Sequence, residues 1–312
     1  MLTYDDVLVA AGRIGGRVRC TPLLAPADGE RWWFKCEHLQ TTGVFKVRGA
    51  YNHQLAALER GDLDPGIGIV AASGGNAGLA HAHAAAALGM PATVYLPSSA
   101  PPVKVARIRS ACAQVRQVGA AYAEAYAEAV TYAEQVGALF CHAYDQVEVA
   151  AGAGTIALEI LADEPGIGTI VVSVGGGGLY AGIAAAAAGR ARIVAVEPER
   201  CPTLHAALAA GAPVDVAVSG VAVDSLGARR IGQIAWQVAS ATPPRSVLVE
   251  DRQIITAREW MWQNYRIACE HGAATAVAAL LSGAYVPEPG ERVAIVVCGA
   301  NTDPTTITVS SE

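Results

Sequence analysis

Apolar runs rich in β-branched residues alternate along this chain with alanine-rich stretches of helical length. The first series reads Gly68-Ile-Val-Ala-Ala72, a helix from Asn76 to Leu88, the strand Ala92-Thr-Val-Tyr-Leu96, a helix from Val103 to Ser110, Gln114-Val-Arg-Gln-Val118, a helix over Tyr122 to Val136, and Leu139-Phe-Cys-His142. The second holds Thr169-Ile-Val-Val-Ser-Val174, a helix from Tyr180, Arg192-Ile-Val-Ala-Val-Glu197, and late strands at Ser246-Val-Leu-Val249 and Arg292-Val-Ala-Ile-Val-Val-Cys298. Short buried strands alternating with helices predict parallel sheets covered by helices on both faces, and two series predict two open, twisted α/β lobes. Turn clusters at Thr41 to Gly43 and Tyr144 to Val147 are the expected crossing points, giving a large domain of 1–50 with 145–312 and a small domain of 51–144. Thr3 is placed to cap an amino-terminal helix. Ligands of open α/β sheets bind beyond the carboxyl ends of the strands, so the loops that follow the strands carry the search for chemistry.

Composition narrows the classes. A chain of 312 residues can hold one large or two medium domains, and 53% hydrophobic against 16% charged residues excludes a disordered chain. Much of the apolar excess is alanine, in runs such as Ala84 to Ala87 and Ala184 to Ala188 that are too short and interrupted to span a bilayer, so no membrane partner is expected. Asp5 and Asp6 stand where a signal peptide would need a basic start, which points to a cytoplasmic protein. The cysteines at 20, 36, 112, 141, 201, 269 and 298 form no Cys-x-x-Cys pair and predict reduced, mostly buried thiols. A net charge of −6 without a basic block excludes a nucleic-acid footprint and leaves a small molecule as the ligand.

Three loops and one lysine carry the chemistry. Lys46 lies in Thr42-Gly-Val-Phe-Lys-Val-Arg-Gly-Ala50, among glycines and apolar residues. Desolvation favours the neutral amine, which can form a Schiff base. Val174-Gly-Gly-Gly-Gly-Leu179 leaves a strand and enters a helix, where successive glycine amides can turn inward on a phosphate. Read in another register, Gly176-x-Gly178-x-x-Ala181 with Glu197 downstream matches a dinucleotide fingerprint. Ser73-Gly-Gly-Asn-Ala-Gly78 offers a hydroxyl, an amide and exposed backbone amides to a carboxylate. Cys298-Gly-Ala-Asn301 ends the last strong strand, where a thiol can face a bound ring.

Taken in order, these segments resemble the fold-type II pyridoxal-phosphate enzymes, which share the tryptophan synthase β-like fold, and among them the serine/threonine dehydratase (ammonia-lyase) family. Thr21-Pro-Leu23, Lys35-x-Glu37, Met90-Pro91, Gly154-Thr-x-x-x-Glu159, Glu197-Pro198 and Gly272-Ala273 extend the likeness over nearly the whole chain. The resemblance implies that Lys46 carries the cofactor and acts as the catalytic base, that Phe45 lines the ring, and that Asn76 bonds its 3-oxygen. It places the phosphate on Gly175, Gly176, Gly177, Gly178 and the Leu179 amide, and the pyridine nitrogen at Cys298. Ser73, Gly74, Asn76 and Ala77 would receive the substrate, an amino acid. Glu197, Cys201 and Thr203 fall at the family's cation site, and without a third carboxylate they suit potassium better than magnesium. Relatives of this kind are commonly dimers.

Departures from the family pattern sharpen the expectation. Val44 replaces a usual serine and removes a hydroxyl. Gly74 stands where serine racemases carry the serine that serves the opposite ring face, which favours dehydration over racemisation. Ala77 replaces a histidine that could recognise a second carboxylate, which favours serine or threonine over 3-hydroxyaspartate. A thiol at 298 gives the ring a weaker electron sink than an aspartate would. The eleven residues after Asn301 leave no room for a regulatory domain, so an unregulated role is expected. His81 and His83 read as structural, and Tyr122 and Tyr126 as packing partners. The rival readings are a racemase or other β-lyase of the same fold, an NAD-binding oxidoreductase, and a catalytically inactive amino-acid-binding protein.

Overall fold

A computed structural model describes residues 1–26 and 32–307. Its strands are β1 (Leu23–Leu24), β2 (Trp32–Lys35), β3 (Ile69–Ala72), β4 (Ala92–Leu96), β5 (Gln114–Gln117), β6 (Leu139–Cys141), β7 (Thr169–Ser173), β8 (Arg192–Pro198), β9 (Arg245–Val249) and β10 (Val293–Val296). The helices that follow them include, in chain order, α1 (Tyr4–Ile14), α2 (Lys46–Arg60), α3 (Asn76–Ala87), α4 (Pro102–Ser110), α5 (Tyr122–Val136), α6 (Val147–Asp163), α7 (Gly178–Ala187), α8 (Thr203–Ala210), α9 (Val223–Leu226), α10 (Gln233–Ala241), α11 (Asp251–Tyr265) and α12 (His271–Leu281).

The strands form two sheets. The larger runs β1-β2-β10-β7-β8-β9 and the smaller runs β5-β4-β3-β6. All neighbours are parallel except the edge pair β1 and β2. The expected two-lobed α/β architecture with parallel sheets is therefore present. Ile170, Val171, Val194, Ala195 and Ile295 are fully buried in the large sheet, and Val94 and Leu96 in the small one, as strands covered on both faces require. Thr3 caps α1 by accepting from the Asp6 amide, as its position predicted.

The alanine-rich helices approach so closely that glycines are needed between them. A Cβ on Gly49 of α2 would lie 2.5 Å from the Val149 carbonyl oxygen of α6, and one on Gly182 of α7 would lie 2.1 Å from the Ala150 oxygen. Gly152 and Gly154 meet the Arg48 and Gly182 carbonyls at 2.6 and 2.5 Å in the same sense. Backbone against backbone, α6 fixes α2 beside α7, and so sets Lys46 beside the tetraglycine loop. Helix α2 runs unbroken from Lys46 to Arg60, a short way beyond the turn cluster at Thr41 to Gly43 where a crossing between lobes was expected.

Behind Lys46 lies a buried ionic cluster. The Arg48 guanidinium donates to Glu37 at 2.8 and 2.9 Å and to Glu159 at 2.6 and 2.9 Å. Lys35 Nζ pairs with Glu159 at 2.6 Å and donates to the Thr21 carbonyl, while Thr21 Oγ1 donates to Glu37. Every charge has a partner of opposite sign, the condition under which charged side chains tolerate burial. This joins Thr21, Lys35, Glu37, Arg48 and Glu159, distant in sequence, at the root of α2.

Candidate active site

Lys46 is the first residue of α2. Its Nζ donates to the Ala143 carbonyl at 3.0 Å and stands 4.9 Å from the centroid of the Phe45 ring. The loop before it is held by backbone pairing with the end of β10: Val44 bridges Gly299, the Phe45 amide donates to the Cys298 carbonyl, and the Ala300 amide donates to the Gly43 carbonyl. This ladder brings Lys46 and Cys298 together. Burial lowers the Lys46 amine from 10.5 to about 8, against the opposing influence of Cys298 and Glu270. The Cys298 thiol is pushed well above its ordinary 9.0, chiefly by burial, and stays protonated. Val44, where a serine was the familiar residue, is fully buried and packs against Gly299.

A cavity opens at the amine, lined by Phe45, Ala77, Tyr144, Gly178 and Leu179. The tetraglycine loop turns its carbonyls outward. Gly175 accepts from Thr203 Oγ1 at 2.5 Å, Gly176 from the Gly232 amide at 3.0 Å and Gly177 from the Ala181 amide at 2.8 Å. The amides that open α7 have no carbonyl one turn earlier, so the loop presents donors to an anion. Side chains are shut out here. A Cβ on Gly176 would lie 2.4 Å from the Tyr144 ring, and Gly177 adopts a φ of +91°.

Asn76 begins α3 and is clamped at both ends of its amide. Its Oδ1 accepts from Asn301 Nδ2 at 2.8 Å, and its Nδ2 donates to the Glu270 carboxylate at 2.9 and 3.0 Å. Glu270, at the amino end of α12, escaped the sequence reading; its only signal is an acid set directly before the apolar run His271-Gly-Ala-Ala-Thr-Ala-Val277. Burial raises its carboxyl to about 7, opposed by the Asn76 bond and by Lys46. Ser73 Oγ accepts from the Gly75 amide at 3.3 Å, which leaves its proton to donate. A Cβ on Gly74 would meet a Leu96 methyl at 2.9 Å, so the position where a racemase needs its serine is crowded as well as empty of a base.

Glu197, Cys201 and Thr203 lie together under the tetraglycine loop. Glu197 accepts from the Leu204 and His205 amides at 2.7 and 2.8 Å, and from Thr203 Oγ1 at 3.1 Å. Both carboxylate oxygens thus cap α8, and burial raises the group to about 7. Turned inward in this way, Glu197 cannot serve a ribose as the dinucleotide reading required. The Cys201 thiol donates to the Ser219 carbonyl at 3.2 Å. No cluster of three or more histidine, cysteine or acidic side chains able to hold a metal occurs among the described residues.

His81 was expected to be structural, and it is buried on α3. It is 2% exposed, lines the Lys46 cavity, and has no hydrogen-bond partner at Nδ1; burial lowers it to about 3, so the ring is neutral. His83 packs edge-on against Tyr51, and Tyr122 pairs with Tyr126, both as packing contacts. His142 Nδ1 accepts from the Tyr144 and Asp145 amides at 3.2 and 2.9 Å and shapes the turn between β6 and α6.

An amine of lowered basicity and an amide-lined turn share one cavity, and the clamped Asn76 lines the cavity beside Gly74 and Gly75, an arrangement that suits an aldehyde-bearing, phosphorylated ring. Residues 14–299 match the family model described as pyridoxal-phosphate dependent enzyme, and the chain belongs to that family. It is 37% identical to an L-threonine ammonia-lyase of Geobacter sulfurreducens over 100% of this chain and 79% of that protein. An L-threonine ammonia-lyase of Thermotoga maritima is 34% identical over 97% of this chain and 76% of its own length. Among solved structures, maize serine racemase superposes with a TM-score of 0.91 at 30% identity, covering 98% of this chain and 95% of that one. The orphaned His81 nitrogen and the side-chain-free glycine turn fit the cofactor of this family, which leaves the NAD-binding reading without support.

Proposed function

We propose that the protein converts L-serine or L-threonine to ammonia and the 2-oxo acid by β-elimination, with pyridoxal phosphate as cofactor. The observation that carries this reading is the Lys46 amine, which bonds the Ala143 carbonyl inside a cavity that it shares with Phe45 and with Gly178 and Leu179 of the glycine turn. Gly175 to Gly178 and the Leu179 amide would hold the phosphate, Phe45 the ring, the Asn76 amide the ring oxygen and Cys298 the ring nitrogen. When bound, the cofactor supplies an electron sink for negative charge at the substrate α carbon. Ser73, Asn76 and the amides at Gly74 to Ala77 hold the substrate carboxylate. Lys46 Nζ, neutral in part near pH 8, takes the α-proton. A neutral Cys298 thiol gives no full positive charge to the ring, which favours rapid loss of the β-hydroxyl over reprotonation. Racemisation lacks a second base at Gly74.

Three finer points belong to the same reading. The chain divides into 1–50 with 145–312 and 51–144, it works as a cytoplasmic dimer, and Glu197 with Thr203 and the Cys201 region seats potassium. Among the described residues no helix is long and apolar enough to cross a membrane. The central test is Lys46→Ala. It should abolish 2-oxo acid release from serine and threonine, and borohydride treatment of the wild-type protein should fix the cofactor on the Lys46 peptide. Undiminished turnover in the variant would refute the assignment.

A further inference from the structure

A second cavity is lined by Gly74, Gly75 and Asn76 of the loop that follows β3, and it carries polar groups that serine or threonine would leave unused. Arg107 of α4 lines it together with Ser225, His271 and Thr302. Arg107 is exposed, and among the described residues no hydrogen bond or ion pair engages its guanidinium. Bonded to the lining residue Thr302, Arg258 is 3% exposed and donates to the Cys269 carbonyl at 2.9 Å, to Thr302 Oγ1 at 2.8 Å, and to the Thr306 carbonyl and hydroxyl at 2.9 and 2.8 Å. None of these bonds goes to a carboxylate, so a buried positive charge stands behind Thr302, and His271 lies 3.4 Å from the same guanidinium. Two acids share the cavity. Glu270 is held by Asn76, and Asp224 has an interaction partner of its own.

We propose that Arg107 is a specificity-determining residue that receives a second substrate carboxylate, so that the site takes a 3-hydroxy dicarboxylic amino acid, of which 3-hydroxyaspartate is the shortest. Ser225 and Thr302 supply hydroxyl donors beside it. Arg107 brings from α4 the positive group that Ala77 fails to supply from α3, and the expectation drawn from Ala77 alone is revised accordingly. The inference rests on the β-elimination reading and keeps its chemistry. The α C–H bond breaks toward Lys46, the β C–O bond breaks with loss of water, and the enamine takes up water to release ammonia and the 2-oxo dicarboxylic acid.

The holoenzyme, Arg107→Ala and Arg107→Lys are to be compared in two measurements: kcat/KM for L-threonine and for L-threo-3-hydroxyaspartate, and calorimetric binding of L-aspartate, which has the second carboxylate and no β-leaving group. Arg107→Ala should lower the ratio of hydroxyaspartate to threonine kcat/KM, and weaken L-aspartate, by about tenfold or more, the scale of a charge-assisted bond in a partly open site. Arg107→Lys should recover most of both. An unchanged ratio and affinity, or equal losses on the two substrates, which would put the guanidinium on the α-carboxylate, overturns the inference while leaving the β-elimination reading standing. Arg107-dependent binding of L-aspartate without turnover of any β-hydroxy amino acid would instead sink the reaction and sustain the role of Arg107.

Discussion

The acidity of two buried side chains sets testable behaviour at the scale of single residues. Lys46 attacks an aldehyde only as the free amine, so the rate at which cofactor-free protein takes up pyridoxal phosphate should rise with pH up to about 8 and then level, as followed by the growth of visible absorbance. Glu270 moves the other way, from 4.5 up to about 7. The folded protein therefore binds more protons there than the unfolded chain between those values, and stability contributed by the neutral carboxyl is lost as pH rises through about 7. Glu270→Gln removes this titration. Its stability relative to wild type should improve by on the order of 2 to 3 kcal/mol between pH 4 and pH 8, read from urea midpoints at each pH. Lys46 was legible in the sequence because its neighbours are glycines and apolar residues that forecast desolvation. Glu270 was not, because its role depends on Asn76, 194 residues away, whose amide it orients.

At the scale of elements, β4 and α5 carry the bounds the sequence predicted, and most other strands differ by a residue or two. Their hydrophobic runs are short and sharply ended by glycine, proline or polar residues. Helix α6 went unread as an element because Val147–Asp163 carries glycines at 152 and 154, which argue against a helix until its closeness to α2 and α7 is known. The tetraglycine turn was read correctly as a strand-to-helix junction, yet the reason for so many glycines is partly Tyr144, whose ring and carbonyl press against 176 and 178. Gly176→Ala should therefore displace Tyr144 and weaken cofactor retention by at least tenfold in dialysis against buffer, since a contact of 2.4 Å cannot be kept. The cation triad shows the converse. Its spacing was visible, but the engagement of Glu197 with the α8 amides was not.

The whole molecule is organised around the root of α2, where Lys35, Glu37, Arg48 and Glu159 sum to no net charge in a region closed to solvent on most sides. Removing one member strands its partners in a poor dielectric. Glu37→Gln should cost about 3 to 5 kcal/mol, seen as a lower urea midpoint with no change in slope, and far more than a surface acid would. The motifs Thr21-Pro, Lys35-x-Glu37 and Gly154-Thr-x-x-x-Glu159 could be listed from the sequence, but that they converge on one arginine needed the fold. Such a lattice has a practical consequence for the reactive amine two residues away. Mobile salt ions cannot enter to screen it, so the seat of Lys46 should hold its geometry from dilute buffer to brine, while the open mouth of the cleft, where Arg107 meets solvent, loosens its grip on anions as ionic strength climbs.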